Sequence, residues 1–515
     1  MMGSMRLTDH DLKQLSQEYL STLTAEQLLH LSEKMLADLR EARDRLNQTP
    51  QNSSRPPGSN APWQRSEPEG KAKAGKEGGE DGEASAQEGE EGEGAASASA
   101  GGAKSQRKAG KQPGSRGVGR QVQLAVTGEV IHRPEACAAC GQVVGEQADF
   151  QATTGLYVLE IERSERGLQV SHIKHLYGES RCPCGHVTQS KPGRCPAETG
   201  WSVALTEWHL VGPLLSALII CLSLRMRLSR NRIREFLQDW LGISLSVGCI
   251  NQCLAEGGRA VAPLEDALVA EIQQAELLHA DETGWKEQGQ TVWLWVLRSA
   301  TVTLYLIGRR SWTVIADLMA HFGGWLMSDG YGQYRHYGKR LRCLAHLIRK
   351  ARGVAESCHP EAAAFGQSAL QTIAQVIEGI YLARSDPALN LPERFATRLA
   401  HLQQACEQHR NHPHEKTQQL ARELLNDWTT IWQVLAYPAL PITNNVAEQA
   451  LRHWVIARKI SHGTRTSEGS RVYTLLASVI DTCRQRDILP WPYLAQVIAD
   501  RRQGHPAQPI PQAAA

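Results

Sequence analysis

The sequence predicts a mixed α/β protein whose largest domain carries a helical insertion and is preceded by a small β module and an N-terminal coiled-coil helix. The largest domain is indicated by two runs of β-branched and aromatic residues, 292–297 and 302–307, separated by a short stretch typical of a hairpin. One short segment before this hairpin carries Asp281, and another short segment after it ends at Asp329. Residues 355–440 are helical in pattern and poor in glycine, which predicts the insertion.

The first element is a helix over 8–48, where apolar residues recur at intervals of three, four and seven with almost no breakers. The polar segment that follows offers no surface for this apolar stripe. Self-association through a coiled coil is therefore favoured, which makes the protein a homo-oligomer and most simply a dimer. The alternative is a helical hairpin, broken near 22–24, that packs on its own chain.

Residues 49–120 are rich in Gly, Ala, Ser, Glu, Lys and Pro and contain almost no large apolar side chain. Such a segment cannot bury enough surface to offset its chain entropy, so we expect a disordered linker. Its acidic part, 67–93, precedes a basic part, 104–120. The basic part could contact DNA backbone without sequence preference, or it could be only a solvated tether.

The next region, 121–200, contains two close pairs of cysteines. Cys137 and Cys140 form a Cys-X-X-Cys pair, Cys182 and Cys184 form a Cys-X-Cys pair, and a glycine follows each. Four thiolates in two pairs suit a structural tetrahedral Zn²⁺ site. Alternating residues between the pairs predict a β-ribbon. The alternatives are ordinary buried thiols, or a zinc site in which His186 or Cys195 replaces a member of the second pair.

Residues 201–270 are predicted to be helical. A capped helix over 228–237, a stop at Gly242 and a second capped helix over 244–252 have the outline of a helix-turn-helix, whose second helix could enter a major groove. Any two helices of a bundle share this outline, so DNA binding by this pair is left open.

Three acids could form one metal site. Asp281 and Asp329 stand near the ends of predicted strands, and Glu448 falls in the first turn of a helix that Asn444 or Asn445 can cap. Carboxylates, completed by water and substrate phosphate, are the ligands that Mg²⁺ prefers. These three residues are far apart in the sequence, so only the tertiary fold can unite them.

The helix that carries Glu448 is basic on one side, with Arg452, Arg458 and Lys459. Arg452 lies four residues after Glu448 and is expected on the same face. We interpret these cations as a DNA phosphate grip beside the metals. The alternative is an ion pair between Arg452 and Glu448 on a solvated surface.

Four strings carry a family resemblance: HADETGWK, SDGYGQY, RCLAHLIRKA and TNNVAEQALRHWVIARKI. In this order and spacing they resemble the DDE transposases of the insertion-sequence sixty-six family, and the resemblance covers most of residues 120–500. It implies a ribonuclease-H-like catalytic core at 271–500, in which Asp281, Asp329 and Glu448 hold two Mg²⁺ or Mn²⁺ ions. It also implies a zinc-binding domain upstream.

The expected function is therefore that of a DNA transposase that binds insertion-sequence ends and catalyses two-metal-ion strand cleavage and strand transfer. Its partners would be the element ends, target DNA, a second copy of the chain and possible accessory proteins of the same element. One alternative is a non-catalytic, zinc-dependent DNA-binding protein. Another is a ribonuclease-H-like nuclease or resolvase.

Composition sets wide limits. The formal charge of +2 gives no global signal for nucleic acid, so any basic surface must be local. The longest apolar run, 210–224, is interrupted by Pro213 and is shorter than the roughly 18 residues of a spanning helix. We therefore expect a cytoplasmic protein without a membrane segment, whose twelve cysteines are thiols or metal ligands, and the family resemblance implies that it is bacterial. The tail, 501–515, is expected to be disordered.

Overall fold

A computed structural model describes residues 15–46, 124–190 and 211–512, apart from Ser16, Gln147 and Arg166. The expected disordered linker, 49–120, lies outside the described residues, as do residues 8–14 of the predicted first helix and Cys195.

The described chain is a mixed α/β protein, which confirms the predicted class. Its helices are α1 (Gln17–Ser21), α2 (Ala25–Leu46), α3 (Pro213–Leu224), α4 (Arg230–Leu241), α5 (Val247–Val261), α6 (Glu265–Gln274), α7 (Ala316–Ala320), α8 (Leu344–Ala355), α9 (Pro360–Ser385), α10 (Leu391–His409), α11 (Glu415–Asn426), α12 (Trp428–Trp432), α13 (Asn445–Ser461), α14 (Ser467–Gln485) and α15 (Pro490–Arg502). Its strands are β1 (Gly128–His132), β2 (Phe150–Ser164), β3 (Gly167–Arg181), β4 (Val187–Gln189), β5 (Leu277–Glu287), β6 (Gln290–Arg298), β7 (Thr303–Gly308), β8 (Trp325–Ser328) and β9 (Arg340–Arg342).

The first sheet is built on a long antiparallel hairpin of β2 and β3. Strand β1 pairs with β3 in parallel, and β4 pairs with the end of β3. Gly167 begins β3 with a φ of 102°, a left-handed conformation that favours glycine at this tight turn. Both hairpin strands are longer than the alternating segments, 156–162 and 168–174, that predict the β-ribbon. Backbone pairing continues through polar residues, because one face of the sheet is exposed.

Strand β2 holds the first sheet against α3. Leu159 and Ile161 are buried in one apolar cluster with Leu215. Between them, the Glu160 carboxylate accepts hydrogen bonds from the backbone N–H groups of Leu214 at 3.1 Å and Leu215 at 2.7 Å. These are first-turn donors that a helix leaves unpaired, so a side chain of the sheet caps the helix.

Helices α4 and α5 have the expected capped form. The Ser229 hydroxyl accepts from Arg232 N and the Ser246 hydroxyl accepts from Cys249 N. Gly242 ends α4 with a φ of 65°. This pair has the helix-turn-helix outline, and its apolar sides pack into the cluster that also holds the first sheet.

The main sheet has the order β7-β6-β5-β8-β9. Strands β5, β6 and β7 form an antiparallel meander, while β8 and β9 run parallel to β5. Trp285, Trp295, Tyr305 and Trp454 are among the largest fully buried side chains of the adjoining core. Helix α13 packs against β5 and α14 against β7, so C-terminal helices complete the core around the central strands.

Helices α8 to α12 form a second apolar cluster, which agrees with a helical insertion. The residue pattern of 340–354 predicts a single helix, but residues 340–342 form strand β9 and α8 begins at Leu344. Arg340 and Arg342 are buried against Asp427, which lies between α11 and α12. A partner so distant in sequence cannot be read from a local helical pattern.

The tail prediction was wrong for residues 501–512. Helix α15 continues to Arg502, whose guanidinium pairs with Glu256. Ile510 is buried, and Arg486 donates hydrogen bonds to the carbonyls of Ile510 and Pro511. One apolar side chain and two backbone carbonyls are enough to order a short polar segment.

Helices α1 and α2 are separated at residues 22–24, and α2 contacts the insertion near its end. The Asp44 carboxylate accepts a hydrogen bond from Ser357 Oγ at 2.7 Å and lies 3.0 Å from His414 Nε2. Much of the apolar stripe is nevertheless exposed, at Leu28, Leu29, Met35, Leu36, Leu39 and Leu46. Among the described helices, none is long and apolar enough to cross a membrane.

Candidate metal and nucleic-acid site

The four cysteines of the first sheet converge on one point. The Sγ atoms of Cys137 and Cys184 are 3.7 Å apart, and those of Cys140 and Cys182 are 3.6 Å apart. All four sulfurs lie within 4.8 Å of one another. A tetrahedral zinc ion with Zn–S bonds of about 2.3 Å separates its sulfurs by roughly 3.8 Å, so the cluster fits Zn²⁺.

The backbone around Cys137 favours thiolate, whereas burial and the neighbouring cysteines raise the pKa of Cys182 to about 12. Backbone N–H groups of Cys140 and Ala139 lower the pKa of Cys137 to about 6. Gly141 and Gly185 follow the two pairs with φ values of 72° and 88°, a conformation in which the chain turns back around each sulfur. Deprotonated sulfur is the form that binds metal. Among the described residues, His186 does not belong to this group, and Cys195 lies outside the part of the chain that the structure describes.

Asp281 lies on β5, and Asp329 directly follows β8, the neighbouring parallel strand. The register pairs His279 of β5 with Met327 of β8, and each aspartate stands two residues further along its own chain. Continued by two residues, this register would set Asp329 opposite Asp281 at the spacing of neighbouring strands, about 4.8 Å, and the charge of Asp329 does act on Asp281. Asp329 follows the last residue of β8, and its carboxylate accepts a hydrogen bond from Tyr331 N at 2.8 Å.

Burial and neighbouring charge act together on Asp281. Burial raises the pKa of its carboxyl group well above the ordinary value, and the charges of Asp329, Glu282 and Glu448 raise it further. Like charges gathered in a low-dielectric site are costly unless a proton or cation compensates them. The arrangement therefore favours a divalent cation with oxygen ligands.

Glu448 lies in the first turn of α13, as the sequence predicts. Its Oε1 atom is 3.6 Å from His346 Nδ1 and 3.7 Å from Arg349. Among the described residues, no ion pair joins Glu448 to Arg452, which is exposed. The fold thus brings Glu448 close enough to act on Asp281 electrostatically, but the cations beside it come from α8 and not from its own helix.

Asn444 has a role that sequence reasoning missed. It precedes α13 but makes no side-chain cap bond. Its Nδ2 donates to the Ala280 carbonyl at 2.8 Å, and its Oδ1 lies 3.2 Å from His279 Nδ1. The fully buried side chain therefore joins the helix of Glu448 to the strand of Asp281. The paired asparagines at 444–445 signalled a cap, but not this tertiary bond.

Glu282 is held by its own set of polar partners, although the charge of Asp329 also acts on its carboxyl group. Its carboxylate accepts hydrogen bonds from Arg310 at 2.9 Å and from Tyr334 Oη at 2.7 Å. Burial raises the pKa of Glu282 to about 7. The Arg310 guanidinium also lies 4.1 Å from the ring centres of both Trp293 and Tyr331. Glu282 therefore links Arg310 and Tyr334 beside the acidic centre. The local sequence pattern around Arg310 did not indicate this contact.

A basic pocket of about 330 Å³ opens further along β5. No acidic residue of the described chain lines it; its walls are Gly284, Trp285, Lys286, Thr291, Arg458, Lys459 and His462. Arg458 donates hydrogen bonds to Thr283 Oγ1 and to the Gly284 carbonyl. Lys459 is exposed. Two of the three cations expected to contact DNA thus line one pocket, and Arg452 stands apart from it.

The fold and these sites define a mixed α/β protein with a zinc-competent thiol cluster and an acidic centre on its main sheet. A model described as the Transposase IS66 family matches residues 209–472, just over half of the chain. The chain therefore belongs to the Transposase IS66 family. A second model, a family of unknown function (DUF6444), matches residues 8–96.

The chain is also similar, at low sequence identity, to three curated proteins of one bacterium. The uncharacterized protein y4qI of Sinorhizobium fredii (strain NBRC 101917 / NGR234) is 24% identical over 53% of this chain and 56% of its own length. The uncharacterized protein y4hP of the same organism is 23% identical over 58% of this chain, and y4jD is 23% identical over 76%. The chain covers 61% of y4hP and 80% of y4jD, so it spans less than two thirds of the first two relatives.

Proposed function

We propose that this protein is a DNA transposase that cuts and joins insertion-sequence ends, with Asp281, Asp329 and Glu448 as its catalytic acids. The observation that carries the proposal is that the charges of Asp329 and Glu448 both act on the buried Asp281 carboxyl group, and the parallel register of β5 and β8, which ends two residues before each aspartate, supports it. Membership of the Transposase IS66 family supports the same chemistry. The aspartates belong to the matched strings and also share one electrostatic environment.

A ribonuclease-H-like core is part of the proposal. Three antiparallel strands followed by two strands parallel to the first, in the order β7-β6-β5-β8-β9, support it. In this arrangement the first and fourth strands are neighbours, which accounts for the meeting of Asp281 and Asp329. The insertion α8–α12 then falls between the second and third acids.

Asp281, Asp329 and Glu448 would hold two Mg²⁺ or Mn²⁺ ions through their carboxylate oxygens. Such ions, when bound, stabilise charge on the attacking and leaving oxygens of a phosphodiester. Asn444 would fix the helix of Glu448 against β5 while the strands fix the aspartates. In the first step, water attacks phosphorus and the 3′-oxygen leaves as a hydroxyl. In the second, that hydroxyl attacks target DNA and displaces another 3′-oxygen, with no covalent protein intermediate.

The basic pocket beside Arg458 and Lys459 would hold DNA phosphates. The described walls of this pocket carry four basic side chains and no acid, which favours a polyanion; the four are Lys286, Arg458, Lys459 and His462. The pocket lies along β5, the same strand that carries Asp281. Arg452 is exposed on the same helix and would extend the contact. The zinc module and α4–α5 would recognise the element ends. The exposed stripe of α2 would pair two copies, and accessory proteins of the same element would be further partners.

Strand cleavage and joining on DNA with the element's terminal repeats tests the proposal. Wild type should nick and join in Mg²⁺, whereas Asp281→Asn, Asp329→Asn and Glu448→Gln should lose both activities and still bind the ends. Asp317→Asn, at an exposed position on α7, is the control and should behave as wild type.

Two other outcomes identify the competing functions. End binding without nicking in any variant would favour a non-catalytic zinc-dependent DNA-binding protein. Cleavage without joining, on branched or RNA-containing substrates in preference to the ends, would favour a ribonuclease-H-like nuclease or resolvase.

A further inference from the structure

Cys343, His346 and Glu448 form a second group of potential metal ligands, separate from the four cysteines. The Cys343 sulfur, a ring nitrogen of His346 and a carboxylate oxygen of Glu448 all lie within 4.8 Å of one another. Cys343 immediately precedes α8, and His346 lies in the first turn of that helix. Two helix starts, those of α8 and α13, therefore supply the whole group.

The Cys343 sulfur is placed as an acceptor. It is fully buried, and Asn444 N donates a hydrogen bond to it at 3.2 Å. Backbone N–H groups of His346 and Ala345 also act on the sulfur in the direction that favours thiolate, although burial raises the pKa of Cys343 overall. Backbone N–H groups directed at a cysteine sulfur stabilise the deprotonated form that metals require.

The other two ligand atoms are buried without hydrogen-bond partners. His346 Nδ1 and Glu448 Oε1 both lack a partner, and they are 3.6 Å apart, beyond hydrogen-bond distance. A buried polar atom left unpaired costs about 1–3 kcal/mol. One cation bound between them and the sulfur would satisfy all three atoms at once. The nearest competing charge is Arg349, whose guanidinium is 3.7 Å from Glu448.

We propose that Cys343, His346 and Glu448 bind a zinc-class divalent ion through three protein ligands, leaving a fourth position open. A thiolate, an imidazole and a carboxylate form a borderline-soft set that suits Zn²⁺ or Co²⁺, whereas Mg²⁺ takes oxygen ligands. A three-ligand site with an open position differs from the closed four-thiolate arrangement of the first sheet.

If the protein is the proposed transposase, this metal site has a regulatory consequence. Only that consequence rests on the proposed function. Glu448 would belong both to the oxygen-only set with Asp281 and Asp329 and to the softer set with Cys343 and His346. A zinc-class ion that holds Glu448 toward Cys343 would withdraw it from Mg²⁺. Zn²⁺ should therefore inhibit Mg²⁺-dependent cleavage in wild type, and Cys343→Ser should relieve the inhibition.

Metal content of the full-length protein tests the site without any DNA. After equilibration with buffered Zn²⁺, native mass spectrometry should find two ions per wild-type chain, one for each ligand group. Cys343→Ser and His346→Gln should each retain one ion. With Co²⁺, both variants should lose part of the visible absorption typical of tetrahedral cobalt, and Cys343→Ser should also lose part of the thiolate-to-metal absorption.

Cys406→Ser is the matched control, because Cys406 is equally buried but belongs to no ligand group of the described chain. It should keep both ions. Circular dichroism will show whether each variant is folded, and His346→Gln tests the site with every thiol retained. Equal metal content in wild type, Cys343→Ser and His346→Gln would overturn the site. Because no DNA is present, failure of the transposase proposal would leave this result unchanged, and the reverse also holds.

Discussion

Asn444 joins the helix of Glu448 to the strand of Asp281 through its bonds to Ala280 and His279. A buried amide in this position fixes two elements whose carboxylates must act together. Its contribution is therefore to the distance between the proposed catalytic acids as well as to stability.

Replacing this amide should loosen the centre without removing any proposed metal ligand. We expect Asn444→Ala to destabilise the fold by about 1–3 kcal/mol, because the Ala280 carbonyl loses a buried donor. The cleavage step should slow while affinity for end DNA is kept. Urea unfolding measures the stability, and single-turnover cleavage over a range of DNA concentrations measures the cleavage rate and the affinity. Asn445→Ala is the control, since the neighbouring side chain is exposed. Equal effects of the two substitutions would contradict the positioning role.

At this scale the sequence predicts residues that carry their own local signal. Asp281 and Asp329 stand at the ends of apolar, β-rich segments, and Glu448 follows a helix-capping pair, so each could be named in advance. The bonds of Asn444 to Ala280 and Cys343 could not, because their partners lie 164 and 101 residues away. Arg310 was missed for the same reason: its value comes from Glu282, Trp293 and Tyr331, which only the folded sheet assembles.

Among the elements, β2 and α3 depend on one carboxylate. Glu160→Ala should destabilise the protein by about 1–3 kcal/mol, since the N–H groups of Leu214 and Leu215 lose their acceptor. Glu160→Gln should cost less, because one oxygen acceptor remains. Urea unfolding followed by tryptophan fluorescence measures both.

The matched control on the same strand is Glu162→Ala, whose side chain is exposed. Its effect should stay within about 0.5 kcal/mol. A loss as large as that of Glu160→Ala would mean that strand propensity, and not capping, explains the result.

Helix α2 should mediate self-association through its exposed apolar stripe. Leu28 and Met35 are seven residues apart, as are Leu39 and Leu46, which is the spacing of a coiled-coil seam. We expect Leu29→Ser with Leu39→Ser, both 62% exposed, to shift a dimer toward monomer in sedimentation velocity without changing the thermal midpoint of the main domain. Arg394→Ser, at an exposed position on α10, should leave the sedimentation coefficient unchanged. A monomeric wild type would exclude pairing through this helix.

The sequence predicts the ends of helices and strands where neighbouring residues determine them, and it misses those that depend on contacts between distant residues. Gly242 marks the end of α4 in both sequence and structure, and the two predicted helix starts, 228 and 244, lie within two residues of the observed caps Ser229 and Ser246. The helical pattern of 340–354 extends over residues that form strand β9 in the structure. The burial of Arg340 and Arg342 against Asp427, on a segment more than eighty residues away, overrides this pattern.

For the whole molecule, Asp427 ties the insertion to the main sheet. Its carboxylate accepts from Arg335 at 3.0 Å and Arg340 at 2.7 Å and pairs with Arg342 at 3.2 Å. Burial alone would raise the pKa of Asp427, but the hydrogen bonds from Arg335 and Arg340 hold it below the ordinary value. Its stabilisation is therefore present above the unfolded-state pKa and is lost as pH falls through the folded-state pKa.

Asp427→Asn should destabilise the protein by about 3–5 kcal/mol at neutral pH, because two buried guanidinium groups lose their counter-charge. The acid limb of the stability curve should flatten in this variant. Urea unfolding between pH 3 and pH 7 measures both effects, with Asp317→Asn as the exposed control. Identical pH profiles for wild type and Asp427→Asn would show that this carboxylate does not couple the two parts.

The insertion also sets an order in time. Asp281 and Asp329 leave the ribosome before α8–α12, and α13 follows only after the whole insertion has been made. At a synthesis rate of about 5–20 residues per second, the interval from Asp329 to Glu448 is roughly 6–24 seconds. A chain interrupted in that interval already carries the thiol cluster and helices α4 and α5, but has neither Glu448 nor Asn444. Under the proposed function, such truncated chains would occupy element ends without cutting them and so act as competitors of the finished enzyme.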